Sequence, residues 1–456
     1  MTTPASPDPA MIMASRWLSS ISGNEAKAQQ GVAAKKSSTK PTLPTLPVEL
    51  WLEIVQYATF VPDILEPDIY HQTARLDPYW SNGHYSPMLD ALCTKRALAL
   101  VCKTWWGLCT PILYQSIILT STRCSELLAV TLIKSRDQSS ASDGTSNPSL
   151  GSFTVRLDIR DQRWRSDRSN ALHSIIGCLP NLSVLTSPSI GWAPSREFEC
   201  FMDHVLSVSL PLRVIDWRRA MRPQDLEQLL KNSPHLQMLR CFDIPLSHPA
   251  TSTGEVLTAS PVGDTSVMSN ITTLDIYNSF DHQGFCSHFT FPLLRELSCN
   301  LGIQTTTAAI AQELFFKRYG HNLTSLHLQH YVSSPSNETR DLLWIQEHCP
   351  GLRNLSISLT GWNQMPVDPI NIPAIVVLGL RCAIDGLGIR QYAPLFGFLK
   401  SLNETSSTLR AVQFLDPANV SNMCSFEGGR KLLKDFIKLS RFRLEDHAGR
   451  SLEVYL

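Results

Sequence analysis

Thirteen histidines and twelve cysteines are the side chains with most chemistry to offer in this chain of 456 residues. A zinc finger or ribbon needs closely paired cysteines so that two thiolates reach one ion. Here the cysteines stand singly from Cys93 to Cys424, with no CxxC pair. His327 with His330, and Cys286 with His288, are close groupings, but a metal site normally needs three or four convergent ligands. No phosphate-cradling G-x-x-x-x-G-K-[ST] or G-x-G-x-x-G, no G-x-S-x-G nucleophile turn and no H-E-x-x-H zinc pair occurs. The residues point to no catalytic constellation, no metal and no cofactor. The cysteines read as small reduced hydrophobes, and a hydrolase hidden in the C-terminal part has no motif behind it.

Recognition is the remaining class, and charge narrows it. Forty basic and forty acidic residues cancel, which leaves no electrostatic footprint for nucleic acid or an anionic membrane. No apolar run approaches the roughly 20 residues that span a bilayer. The N-terminus lacks a basic n-region and a sustained apolar segment, so no secretory signal is expected, and the single Arg between Met11 and Ile21 is too little for an organelle-targeting helix. A cytoplasmic or nuclear protein follows. The sequons Asn322-Leu-Thr and Asn354-Leu-Ser then read as accidents of a local pattern rather than glycan acceptors.

Two tracts set the expected organisation. Residues 1–42, rich in Ala, Ser, Thr, Pro, Lys and Gln, offer too little apolar surface to offset ordering entropy and are expected to be a disordered leader. Residues 135–152 have the same character and are expected to be a linker. Between the two lies a small helical module, residues 43–120. In "VELWLEIVQYA" Leu50, Ile54 and Tyr57 fall at helical spacing, with Pro47 where a helix can start. In "TKRALALVCKTWWGLC" the stripe Leu98, Val101, Cys102 and Trp105 predicts a second helix. The proline- and aromatic-rich stretch at about 61–93 reads as an inserted loop.

Residues 153–456 carry a repeat of the form L-x-x-L-x-L. It occurs as Leu212-x-x-Ile215-x-Trp217, Leu236-x-x-Leu239-x-Cys241, Ile271-x-x-Leu274-x-Ile276, Leu294-x-x-Leu297-x-Cys299, Leu323-x-x-Leu326-x-Leu328, Leu352-x-x-Leu355-x-Ile357, Ile375-x-x-Leu378-x-Leu380 and Leu409-x-x-Val412-x-Phe414, with a shorter start at Leu182-x-x-Leu185. The loose period lies at the upper end of the leucine-rich range. Segments of helical spacing, such as "NALHSIIGC" and "DLEQLLKNS", lie between these units. A repeated strand and helix hides its apolar side by stacking on its neighbours. The expected fold is therefore α/β, a leucine-rich-repeat-like solenoid of parallel strands and helices preceded by a small all-α module. "GRKLLKDFIKLSRFRLEDHAGRSLEVYL" is expected to cap its C-terminal end. Alternation along each strand predicts an outward, target-facing set that includes Asp216, Arg218, Arg240, Phe242, Asp275, Tyr277, Glu296, His327, Gln329 and Arg381. Their mixed signs fit a protein or peptide rather than a polyanion.

The helical module resembles the F-box. "LPVELWLEIVQYA" matches its LPxE(I/L) start and first-helix Ile, and "VCKTW" followed by "PILYQSI" matches its Val-Cys-(Lys/Arg)-x-Trp element and exit. The match covers about residues 46–118, with a longer interval between the two elements than is usual. F-box proteins with leucine-rich solenoids look like substrate receptors of SCF-type cullin-RING ubiquitin ligases. The resemblance implies docking to the Skp adaptor, and through it a cullin, by Leu46, Pro47, Leu50, Ile54, Leu98, Val101, Cys102 and Trp105. The solenoid would hold a target protein, with no catalysis in this chain. A non-degradative scaffold built from the same two parts is the alternative.

Overall fold

In the computed structural model the described residues are 46–61, 65, 86–141, 148–160, 169–187, 196–221, 223–243, 266–267, 270–279, 289–300, 306–331, 345–365, 374–383 and 389–456. The expected leader and most of the insertion lie outside them. The chain divides into two compact units, with the described boundary between Arg213 and Val214.

The first unit opens with helices α1 (Val48–Ala58), α2 (Ser86–Ala99) and α3 (Lys103–Tyr114). Pro47 precedes α1, and its carbonyl accepts from the amides of Leu50 and Trp51 to close the first turn. The last eight residues of the expected loop, 86–93, are helical and belong to α2. The expected single helix through "TKRALALVCKTWWGLC" is instead two. α2 ends at Ala99, and Cys102, in extended backbone, starts α3 by accepting from the Trp106 amide at 2.8 Å.

Strand β1 (Ser116–Leu119) follows, then α4 (Thr122–Ala141), β2 (Arg156–Ile159), α5 (Ser169–Ile176), β3 (Val184–Ser187) and α6 (Arg196–Ser207). The three strands pair in parallel, with Ile118, Asp158 and Thr186 in register. The ladder therefore starts at Ser116, inside the stretch read as the end of the helical module, rather than after residue 152.

The described parts of the expected linker, residues 135–141 and 148–152, are structured. Residues 135–141 complete α4, where the Ser139 and Ser140 hydroxyls bond back to carbonyls four residues earlier instead of breaking the helix. A 3₁₀ turn, Leu150–Phe153, buries Gly151 so close to the Cys178 carbonyl that a Cβ would stand 1.9 Å from its oxygen. Polar composition misled here because short hydroxyl side chains can satisfy a helix as well as a loop.

The second unit is a succession of parallel strands. In order these are β4 (Val214–Ala220), helix α7 (Pro223–Asn232), β5 (Met238–Asp243), β6 (Ser266–Val267), β7 (Thr273–Ser279), β8 (Phe289–Thr290), β9 (Glu296–Asn300), helix α8 (Thr306–Tyr319), β10 (Ser325–Tyr331), β11 (Asn354–Leu359), β12 (Val377–Cys382), helix α9 (Ile389–Thr405), β13 (Ala411–Phe414), helices α10 (Pro417–Ser425) and α11 (Glu427–Ile437), and β14 (Arg443–Glu445). Short β6 and β8 pair with each other; the other nine strands lie side by side in chain order. The repeat register holds across them. Ile215, Leu239, Leu274, Leu297, Leu326, Leu355, Leu378 and Val412 align, and all are buried, as are the repeat's first residues from Leu212 to Leu409. This is the architecture of a leucine-rich-repeat-like ladder.

Just before the strands, backbone amides link each unit to the one before it. Thr272, Arg295, Thr324, Arg353, Val376, Arg410 and Arg443 each donate to the carbonyl of the preceding member, starting from Gln237, at 2.7 to 3.0 Å. Side chains reinforce this link. Asn181, Asn270 and Asn322 donate from Nδ2 to the carbonyls of Ser152, Pro234 and Pro292. Two residues on, the hydroxyls of Ser183, Thr272 and Thr324 donate to the carbonyls of Val155, Gln237 and Arg295. Each of these three Asn-x-Ser/Thr triplets thus clamps its unit to carbonyls three residues apart on its neighbour.

The C-terminal segment closes on itself. Asp446, fully buried, accepts from the amides of Ala448 and Arg450 at 2.9 Å and from Arg450 Nε and Tyr455 Oη at 2.8 Å. Burial alone would raise its carboxyl pKa, but these four donors hold it at about 2. Gly449, at φ 75, supplies the left-handed residue of this turn.

Candidate functional site

Helix α1 is apolar on two faces. Leu52 and Val55 point inward, into a cluster with Ala99, Leu108, Cys109 and Ile112 that Trp51, Leu98 and Leu113 border. The stripe expected from the sequence, Leu50, Ile54 and Tyr57, lies on the other side and is exposed, with Tyr57 at 90%. Leu46, Val48 and Phe60 extend it at the helix ends, and Leu100, Val101 and Trp106 are exposed across the α2–α3 junction.

Of the eight residues matched to the F-box pattern, Leu46, Pro47, Leu50, Ile54, Val101 and Cys102 are exposed. Leu98 and Trp105 are half-buried: Leu98 borders the core, and Trp105 lies against Trp51 with ring centroids 5.2 Å apart. The four residues Leu98, Val101, Cys102 and Trp105 do not share one helical stripe, because the turn at Leu100 to Cys102 separates them. Their common helix spacing was a coincidence of a sequence that breaks in the middle. Trp51 was not singled out from the sequence, although its place one turn before Val55 marks the inward face.

The second candidate is the face of the β-ladder opposite the leucines. One residue per strand falls into register there: Asp216, Arg240, Asp275, Ser298, His327, Ser356, Gly379, Gln413 and Glu445. Strands about 4.8 Å apart bring such side chains within bonding reach of each other. Arg240 Nη1 donates to Asp216 Oδ2 at 3.0 Å, and Arg240 Nε donates to Asp275 Oδ2. Gln329 Nε2 donates to Asp275 Oδ1 at 2.7 Å and to Ser298 Oγ at 2.6 Å. Burial works against the Arg240 charge, but the two carboxylates and their hydrogen bonds outweigh it and hold its pKa above the ordinary guanidinium value.

Part of the expected outward set lies out of water. Asp216, Arg240, Asp275, His327 and Gln329 are all buried, with strand neighbours bringing their side chains close to one another. Asp216, Arg240 and Asp275 bond to one another, Gln329 donates to Asp275 and Ser298 while its Oε1 is buried without a hydrogen bond, and His327 Nε2 stands 3.3 Å from Ser358 Oγ. Glu296 is half-buried and accepts from Thr273 Oγ1 at 3.2 Å, and Arg381 is half-buried with Nε 3.9 Å from Asp416 Oδ2. Arg218, Phe242 and Tyr277 stand on β4, β5 and β7, and their side chains lie outside the described ones.

Among the described residues no group of three histidines, cysteines or carboxylates could hold a metal ion, and no helix is long and apolar enough to cross a membrane. No protein-family model matches the chain, and no curated protein matches it. Among solved structures, the chain is similar to the leucine-rich repeat-containing protein LegL7 from Legionella pneumophila at 15% identity and a TM-score of 0.32, over 75% of this chain and 88% of that one.

Proposed function

We propose that this chain is a non-catalytic substrate receptor of an SCF-type cullin-RING ubiquitin ligase, in which the helical module docks on the Skp adaptor, and so on a cullin, while the second unit holds a target protein. The observation that carries this reading is the outward apolar stripe of α1. A three-helix module needs only one apolar face per helix for its own core, and contiguous large apolar residues left in water are the mark of an interface. The stripe falls on the residues through which the F-box resemblance implies docking. A receptor of this kind acts by raising the effective concentration of target near an activated thioester, which asks for no acid, base or nucleophile. Since the central row of the ladder is internally bonded, target contact falls to residues flanking it, such as Glu296 and Arg381.

The test is co-purification of the full chain with the Skp adaptor, compared with Leu50→Ala/Ile54→Ala/Val101→Ala. The triple variant keeps its urea midpoint near that of the parent and loses the adaptor. A folded parent chain that retains no adaptor would end this reading.

A further inference from the structure

The turns that lead into the strands of the second unit carry charge of one sign. Arg295, Arg353 and Arg410 stand one residue before Glu296 of β9, Asn354 of β11 and Ala411 of β13, and all three are exposed. The residues at the same place before β10 and β12 are Thr324 and Val376. An arginine therefore occupies every second rung from β9 to β13. Backbone bonds hold these rungs at fixed spacing. The Thr324 amide donates to the Arg295 carbonyl at 2.8 Å, Arg353 to Thr324 at 2.9 Å, Val376 to Arg353 at 2.7 Å and Arg410 to Val376 at 2.8 Å.

Among the described residues, the side chains of Arg295, Arg353 and Arg410 make no hydrogen bond and no ion pair. Segments 292–295, 321–324, 350–353 and 407–410 contain no acid, and His321 adds an exposed imidazole. The nearest described carboxylates along the chain, Glu296, Glu347 and Glu404, pair with none of the three. On the rungs between, the Thr324 hydroxyl already donates to the Arg295 carbonyl, and Val376 is apolar. Forty acids balance forty bases over the whole chain, yet this edge of the ladder is basic. An exposed guanidinium offers a planar fork of donors that matches a carboxylate. Strands about 4.8 Å apart place alternate rungs about 10 Å from each other. A polyproline II segment rises about 3.1 Å per residue with about three residues per turn, so every third side chain shares a face at intervals of about 9 Å. We propose that this edge binds an acidic segment of a target protein, laid across the strands in that extended form with a carboxylate at every third position facing Arg295, Arg353 and Arg410. The fixed backbone under the three arginines limits the ordering that binding requires. The inference rests on the reading of the second unit as the part that holds a target, and is independent of adaptor docking.

The experiment measures, by fluorescence anisotropy at low salt, binding of the full chain to a labelled peptide of three Glu-Pro-Ala repeats. It compares the parent with Arg295→Gln, Arg353→Gln and Arg410→Gln, singly and together, and with Lys431→Gln/Lys434→Gln/Lys438→Gln at α11, which removes equal charge from another exposed face. Urea midpoints of all variants stay near that of the parent, since every replaced side chain is exposed. Each single arginine replacement weakens binding about threefold and the three together about thirtyfold, while the lysine variant binds as the parent does. Added salt weakens the parent's binding, and a peptide of the same composition with its glutamates consecutive binds less tightly. The inference is overturned by a parent that does not bind the repeat peptide, by equal losses in the arginine and lysine triple variants, or by equal or tighter binding of the consecutive-glutamate peptide or of a single-stranded RNA of the same charge. Adaptor capture, measured on the same samples, decides the docking reading separately: a parent that binds the peptide and no adaptor ends that reading and leaves this one standing.

Discussion

The helical module and the β-ladder of the second unit solve opposite problems. The module leaves large apolar residues, Leu50, Ile54, Tyr57 and Val101, in water. The ladder takes charged and polar residues, Asp216, Arg240, Asp275 and Gln329, out of water. Apolar surface in water can be hidden only by another molecule, whereas polar groups out of water must be satisfied from within. On the proposed reading the module awaits a partner, whereas the charged groups of the ladder's row already have theirs. Polarity alone does not tell which surface binds: the question is whether each group already has its complement.

That contrast is broken most severely at Arg240. Replacing it by Ala leaves the Asp216 and Asp275 carboxylates buried without the guanidinium between them, and the second unit should lose roughly 3–5 kcal/mol. If the row instead offered its charges to a ligand, the same change would cost little stability. Exchanging all three together, Asp216→Leu/Arg240→Met/Asp275→Leu, should recover most of the loss, because a matched apolar set has no desolvation penalty. Urea midpoints of the single and triple variants decide it.

Within the module the comparison sharpens to two residues on one helix. Leu52 is 5% exposed and Ile54 47%. Leu52→Ala should cost about 2–5 kcal/mol by opening a cavity in the cluster around Val55 and Leu108. Ile54→Ala should stay within about 0.5 kcal/mol of the parent while weakening adaptor capture. A large stability loss at Ile54 would mean that the outward stripe packs against this chain rather than a partner.

How much of this was legible in the sequence follows the same division. The repeat register was, because aliphatic residues at fixed offsets answer to burial alone, and the aligned strands keep that register through Val412. The alternation of Asp216, Arg240 and Asp275 was also visible at one offset of that register. Its meaning was not, because alternation along a strand says which face a side chain takes and nothing about how far that face lies from water. The stripe Leu50, Ile54 and Tyr57 was read correctly as helical, but periodicity cannot tell an outward from an inward stripe when a helix carries both. The ladder's start at Ser116 was hidden because "SIIL" is too short to show a period, and the serines of α4 were hidden because they mimic a linker. The burial of Lys95 on α2 gave no signal, since lysine is ordinarily a surface residue.

Modest effects are expected at Asn181, Asn270 and Asn322, whose Asn-x-Ser/Thr triplets were read as accidents of a local pattern and whose geometry makes them clamps between neighbouring units. Asn181 Nδ2 reaches the Ser152 carbonyl at 2.6 Å, and Asn322 Nδ2 reaches that of Pro292 at 3.4 Å. Asn181→Ala should cost about 1 kcal/mol and Asn322→Ala less, in the order of the bond lengths. Asn→Asp separates a clamp from a mere turn preference. Aspartate suits a turn as well as asparagine does, but it replaces the donating amide with an acceptor facing a carbonyl oxygen. Asn181→Asp should therefore be more destabilising than Asn181→Ala, by midpoint in urea at pH 7. The reverse order would show that Asn181 serves the backbone conformation and that the backbone amides alone join the units.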